Sequence, residues 1–384
     1  MLGYDWNKIK SEIIKYSQKI NIDKIGITTA DPFLEIQCLL REHKEKGYGS
    51  GFEEENLELR INPRLSLPTA RSIIAIALAY PGYELERRKT SATEGEIRRK
   101  FCRASWGRDY HFVLQERLSK LADFIKQMIP EAETLTMVDT GPLSDRAVAV
   151  RAGLGWIGKN SNLITPEFGS FVYLGELLTN LPLPPDKPLE NRCTDCSRCI
   201  TACPMHAIIP GKAIINCQKC LAYQTLTKGF LSDELKEKIA VHPYIYGCDI
   251  CQLVCPYNKG KVNDIHEEFK PVDELVNPKV EVFFQLSNKE FKEKYGQMSG
   301  SWRGKKNLER NAILILGAVK DPKTIPLLKK HLFFDPRPEI RAVAAWSLGK
   351  FNYDDTGEIL KEGLQKEKDD RVILEIKKAL NLNE

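Results

Sequence analysis

Of the eleven cysteines in the chain, eight fall into two runs whose spacing suits iron-sulfur ligation. Cys193, Cys196, Cys199 and Cys203, followed by Pro204, spell C-x2-C-x2-C-x3-C-P. Cys248, Cys251 and Cys255, followed by Pro256, spell C-x2-C-x3-C-P, with Cys220 upstream as the remaining thiol. In such a run a short loop wraps three thiolates around one [4Fe-4S] cube and sends the fourth to another cube. The spacing therefore predicts one cluster on Cys193, Cys196, Cys199 and Cys255 and a second on Cys203, Cys220, Cys248 and Cys251. The chemistry is one-electron transfer. Zinc knuckles also use paired C-x2-C, but the triple spacing with a trailing C-P suits a cube better than a tetrahedral ion. Cys217 lies close enough to Cys220 to compete for its role, and Cys38, with no visible partner, is expected in the core.

Disulfides would need an oxidising compartment. The start MLGYDWNKIK has no charged segment followed by an apolar stretch, and the longest apolar run, Ile73 to Tyr80, is too short to span a bilayer. A reducing cytoplasm and no membrane partner are expected.

Three other segments crowd reactive side chains. They are FCRASWGRDYH (Phe101 to His111), TMVDTGPLSDR (Thr136 to Arg146) and the glycine-punctuated GWIGKNSN (Gly155 to Asn162). Each alone reads equally well as a capped turn; three together beside two clusters favour function. An acceptor for the electrons is then needed. No G-x-G-x-x-G turn follows a predicted strand, as a flavin or dinucleotide site would require, which leaves a corrinoid as the other obvious candidate. The corrinoid pattern D-x-H-x-x-G begins at Asp109-Tyr110-His111 and at Asp264-Ile265-His266, but Leu114 and Phe269 stand where glycine is required. No histidine below a cobalt is expected from that motif.

The elements that must position these residues follow from periodicity. Trp6 to Ile20, Tyr110 to Met128 and Asp145 to Ala152 read as helices, and Lys24 to Thr28, Ser72 to Tyr80 and Leu135 to Asp139 as strands. The second strand is apolar throughout, as expected for burial on both faces. At 384 residues with 42% hydrophobic composition, two or three domains are expected. The fold class is α+β multidomain: a mixed α/β domain over 1–180, a ferredoxin-like double-cluster domain over 181–275 after the connector LPLPPDKP, and HEAT-like helical repeats over 276–384. In the last part Gly317 and Gly349, Leu328 and Leu360, and Ile340 and Val372 hold a constant offset of 32. Trp346 on a repeat helix reads as core.

The net charge of +5 says little about partners, but between Ser299 and Lys350 eleven Lys or Arg face four acids. Such a stretch suits nucleic-acid phosphates, and SWRGKK (Ser301 to Lys306) adds an aromatic that can stack on a base.

The ordered blocks FCRASWGRDYH, MVDTGPLSDRA, RCTDCSRCITACP, CLAYQTLTKGF, YGCDICQLVCP and GSWRGKK resemble the epoxyqueuosine reductase family, itself similar to reductive dehalogenases. The resemblance implies reduction of epoxyqueuosine to queuosine at the wobble position of tRNA with a GUN anticodon, by a monomer fed from an external low-potential electron donor. It implies base-off cobalamin between the N-terminal and cluster domains, and tRNA held by the repeats. Carried onto this chain, the proton donor falls on Asp139; Asp109, Tyr110, His111 and Arg146 line the base pocket; Cys102 sits beside the cobalt; and Arg60, Lys159 and Asn160 contact cobalamin. Trp302, Arg303, Lys305, Lys306, Arg310 and Arg341 are the expected RNA contacts. As an acid, Asp139 would need a carboxyl pKa raised by burial. Two rival readings remain, a ferredoxin-like electron-transfer module and a cobalamin-dependent dehalogenase.

Overall fold

Ser72–Ala79 (SIIAIALA) offers no polar face, so it is stable only with apolar layers on both sides, and every residue in it is buried. It forms strand β2 of a four-stranded sheet with β1 (Lys24–Thr29), β3 (Thr134–Met137) and β4 (Val172–Thr179) in the order β1-β2-β4-β3. All three pairings are antiparallel, with Ile27 opposite Ile74, Ile74 opposite Leu177, and Met137 opposite Glu176. An apolar run of this kind is commoner in parallel sheets. Here the antiparallel sheet is sandwiched. Helices α1 (Trp6–Lys19) and α2 (Tyr110–Met128) cover one face through Ile9, Ile13, Leu114, Leu118 and Ile125. Helix α3 (Asp145–Arg151) covers the other, with Val148 and Ala149 against Ile73, Ala75 and Leu178.

The structure, a computed structural model, describes residues 3–82, 96–351 and 353–381. Their contacts divide the chain into two compact units, one drawn from Met1–Arg88, Arg103–Cys220 and Asp249–Lys270, the other from Lys89–Cys102, Leu221–Cys248 and Pro271–Glu384. The first unit contains the sheet and most of the cysteine segment, where the short helices Arg198–Ala202 and Ile250–Leu253 pack together. Cys38 is exposed, contrary to the core expected of it. It rides on the helix Gln37–Glu45, which buries Leu40. Among the described residues no helix is long and apolar enough to cross a membrane.

The second unit contains the repeats: α4 (Lys306–Val319), α5 (Ile325–Phe334), α6 (Pro338–Leu348), α7 (Asp354–Lys366) and α8 (Asp370–Ala379). The period of 32 recurs as contact geometry. A Cβ added to Gly317 would lie 2.6 Å from Ser347, and one on Gly349 would lie 2.7 Å from Ala379. Glycine at both positions lets the equivalent helices of successive repeats approach closely, which is why the pattern is legible in sequence. Trp346 is buried, and the Lys350 ammonium caps its ring at 4.5 Å.

Arg310, expected on RNA, is instead 2% exposed. Its guanidinium donates to the carbonyls of Thr227 at 2.6 Å and Gln224 at 3.1 Å and to Asn311 Oδ1 at 3.0 Å. It ties α4 to the 221–248 segment. Basic count alone cannot reveal that a helix turns its arginine inward. Arg310→Ala leaves these acceptors without a donor and is expected to lower unfolding free energy by about 3 kcal/mol. Chemical denaturation measures this, and RNA affinity of the folded protein should stay near that of the parent.

Candidate functional site

Strand β3 ends at Met137, short of the expected Asp139, because Asp139 adopts φ 54° and leaves the extended conformation. A non-glycine residue in this left-handed region needs local support. Its amide donates to Asp145 Oδ2 at 3.2 Å, at the start of α3. The carboxylate meets the N-terminus of α2. Tyr110 Oη donates to Asp139 Oδ2 at 2.7 Å, and His111 Nε2 lies 3.3 Å from the same oxygen. On its other side His111 Nδ1 is 2.7 Å from Asp109 Oδ1, whose carboxylate also caps the helix by accepting the His111 amide. Tyr110 stacks on Tyr173 of β4 at 4.5 Å.

Asp109, Tyr110, His111 and Asp139 thus form one chain of hydrogen bonds. Hydrogen bonds to Asp109 and then to Asp139 raise the His111 pKa to about 9. Asp139 moves the opposite way from the expectation. The His111 hydrogen bond holds its carboxyl below the usual range, outweighing the upward push of burial. At neutral pH the proton therefore sits on His111, one hydrogen bond from Asp139. Burial followed by the Asp139 charge drives the Tyr110 hydroxyl far up, so it remains a donor.

Beside this chain is a recess of about 370 Å³ lined by His111, Phe112, Gln115, Thr136, Met137, Val138, Thr140 and Gly141. It is at the small end of ligand pockets. Arg146 follows Asp145 on α3 and donates to the Ser161 carbonyl. The Arg60 guanidinium, lowered by burial, feels the charges of Glu53, Arg146 and Asp145.

In the 155–162 loop, Ser161 turns the chain at φ 62°. Asn160 is 3% exposed, and its amide nitrogen is buried with no partner. A buried donor without an acceptor is costly, so this nitrogen suits a polar group of a bound cofactor. Lys159, expected on the same cofactor, is otherwise engaged. Its ammonium donates to the carbonyls of Thr194 at 2.5 Å and Cys196 at 3.0 Å, pinning the first cysteine loop.

The thiols of the first unit fit clusters. Cys199 is buried, and its thiol is pushed up first by burial and then by the charges of Cys193, Cys255 and Cys196, the four expected around one cube. The Cys203 sulfur accepts the Ala207 amide at 3.3 Å, an interaction that stabilises a ligating thiolate. Burial first, then the Cys220 charge, pushes Cys217 up to about 11. In the second unit, the Cys102 amide donates to Tyr246 at 2.9 Å. A Cβ on Gly247, which has φ 71°, would stand 2.3 Å from the Cys102 sulfur, so only glycine suits that position.

Of the remaining RNA candidates, Trp302 is 56% exposed with the Arg303 guanidinium 4.5 Å over its ring. Lys305 is held by the Leu286 carbonyl and Glu309, Lys306 by Glu339, and Arg341 by both oxygens of Glu367. Glu309, one helical turn from Lys305, and Glu339 are among the four acids of the Ser299 to Lys350 stretch, whereas Glu367 lies beyond it. Glu176 was missed altogether. A lone acid inside the apolar strand VYLGELLT was the available signal.

Residues 60–140 match the family described as Epoxyqueuosine reductase QueG, DUF1730, residues 192–258 a 4Fe-4S double cluster binding domain, and residues 303–381 HEAT repeats. The epoxyqueuosine reductase of Bacillus cereus is 51% identical over 378 residues, 98% of each chain. A crystal structure of an epoxyqueuosine reductase with an epoxyqueuosine-modified tRNA-Tyr stem loop is 48% identical, with a TM-score of 0.94, over 98% of this chain and 99% of that one. The Bacillus subtilis enzyme, solved with its catalytic aspartate loop swung out of the active site, is 47% identical, with a TM-score of 0.93, over 99% and 100%.

Two outcomes are expected here. In a histidine NMR titration His111 should stay protonated through neutral pH and titrate near 9, and Asp109→Asn should return it toward the ordinary histidine value. The His111 pair then stabilises the fold fully below that ordinary value and loses this contribution as pH rises through about 9. Lys159→Met removes a cation beside the first cysteine loop, so the potential of that cluster, followed by EPR-monitored redox titration, should fall on the order of tens of millivolts.

Proposed function

The chain belongs to the epoxyqueuosine reductase family, and from that premise we propose that it removes the epoxide oxygen of epoxyqueuosine at the wobble position of tRNA, yielding queuosine. The change consumes two electrons and two protons and releases the oxygen as water. The observation that carries the proposal is the Asp109, Tyr110, His111 and Asp139 chain beside a recess of about 370 Å³.

The modified base occupies the recess against His111; Tyr110 and Arg146 stand outside its lining, Tyr110 held at Asp139 and Arg146 at the Ser161 carbonyl. As the epoxide C–O bond breaks, its oxygen gains charge and needs a proton. Asp139 supplies it. The carboxylate is ionised in the open site, and a ligand that excludes water from it raises its pKa. The proton then moves from His111 along the 3.3 Å contact to Asp139 Oδ2 and on to the epoxide oxygen, and a second proton along the same path lets the resulting hydroxyl leave as water when the second C–O bond breaks. Asp109 steadies the imidazolium before transfer, and Tyr110 holds the Asp139 carboxylate in line. In this chain the Asp139 bend docks against Asp145 in the closed site and swings outward for substrate exchange, a motion suggested by the Bacillus subtilis relative.

Base-off cobalamin, when bound, would supply a two-electron reductant, with Arg60 and Asn160 holding it near Asp139. Cys193, Cys196, Cys199 and Cys255 would hold one cluster and Cys203, Cys220, Cys248 and Cys251 another, and these would pass single electrons from an external low-potential donor. The repeats hold the tRNA, with exposed Trp302 and half-buried Arg303 as the contacts, Lys306 near them and Arg310 reassigned to the interior. A plain electron-transfer module would leave the Asp139 chain of hydrogen bonds without a use.

The test is anaerobic turnover of epoxyqueuosine tRNA by the cluster- and cobalamin-loaded enzyme, with the product nucleoside measured by mass spectrometry. Asp139→Asn is expected to lower kcat by at least about 100-fold, leaving corrinoid absorbance and tRNA binding intact. An unchanged rate in that variant would end the proton-donor reading.

A further inference from the structure

Glu176 lies in the middle of β4, opposite Ala75 on one side and Met137 on the other, and is 1% exposed. One of its carboxyl oxygens is buried without a hydrogen-bond partner, and the side chain is hydrogen-bonded to Asp145. Asp145 in turn accepts the Asp139 amide at 3.2 Å. Two carboxylates in contact inside an apolar layer cannot both be ionised at modest cost. We propose that Asp145 and Glu176 share one proton at neutral pH, and that this proton keeps the Asp139 bend docked, making Glu176 a positioning residue for the proton-donating aspartate.

The geometry gives each atom a place. Protonated Glu176 donates to Asp145, whose remaining charge accepts the Asp139 amide and stabilises its left-handed backbone. Burial foremost, and then neighbouring acids, push both groups up, Asp145 to about 6 and Glu176 well above the usual range. The groups facing the pair are Asp139 from the bend, Arg146 on α3, and Arg60 from the helix Leu57–Ile61, with Glu53 beside Arg60 and His111 beyond Asp139. The two arginines favour one negative charge on the pair. They do not balance a second beside Asp139. When Glu176 releases its proton to solvent, three carboxylates crowd together, and the bend moves because the strand cannot.

The inference rests on the proposed reaction for its kinetic arm only. Infrared spectroscopy of wild-type protein, in H2O and D2O, should show a protonated-carboxyl C=O band that shifts with deuterium and vanishes as pH rises. Glu176→Gln, whose amide still donates to Asp145, should lack this band. In turnover of epoxyqueuosine tRNA, wild-type kcat/KM should fall tenfold per pH unit along an alkaline limb, with the same midpoint as the infrared band. Glu176→Gln should keep the plateau rate and lose the limb that shares the infrared midpoint, retaining only the one set by His111 near 9. Absence of the carboxyl band in wild type, its persistence in Glu176→Gln, or an alkaline limb unchanged in the variant would each overturn the proposal. If no turnover occurs at all, the reaction assigned above fails, while the infrared comparison still decides whether the proton is shared. Should Glu176→Gln fail to fold, the wild-type band and its coincidence with the wild-type limb decide it without the variant.

Discussion

A single backbone hydrogen bond, from the Asp139 amide to Asp145, sets where the Asp139 carboxylate stands. Strand β3 delivers Asp139 to the sheet edge, but the left-handed turn there would relax without an acceptor for that amide. Asp145 is available as that acceptor because α3 begins at it and packs over β2 and β4 through Val148 and Ala149. The bend then points its carboxylate at the first turn of α2, where Tyr110 and His111 are presented by a helix capped by Asp109. The apolar sandwich and the proton chain are therefore one construction.

The same economy governs the electron path. Lys159 leaves the loop of Gly155 to Asn162 to pin the carbonyls of Thr194 and Cys196, so the segment that carries the unpartnered Asn160 amide also braces the first thiolate loop. A shift in one loop is felt by the other. Bracing of this kind keeps reorganisation small when a cluster changes charge, which suits a relay that passes electrons singly.

Much of this was legible in the residues. The helix Tyr110–Met128 and the strand Ser72–Ala79 follow directly from apolar periodicity, and the repeat offset of 32 reappears as close contacts at Gly317 and Gly349. Sequence pattern works there because each feature is local or strictly periodic. It failed where a partner comes from a distant element. Arg310 looked like a surface cation and is bonded to carbonyls near 225, and the two bonds of Lys159 to the cysteine loop were not readable from its position in the chain. The Asp139 carboxyl, expected high, is held low because an imidazolium lies against it.

Residue identity and spacing alone determined the two thiolate runs and the repeat, because cluster ligation and helix stacking impose short, fixed intervals, and the family resemblance pointed to Asp139 as the proton donor. Tertiary structure decided the charge state of that donor, the inward turn of Arg310 and the meeting of Glu176 with Asp145, residues 31 positions apart. These depend on desolvation and on which side chains converge across the sheet, and neither quantity is written in the order of the residues.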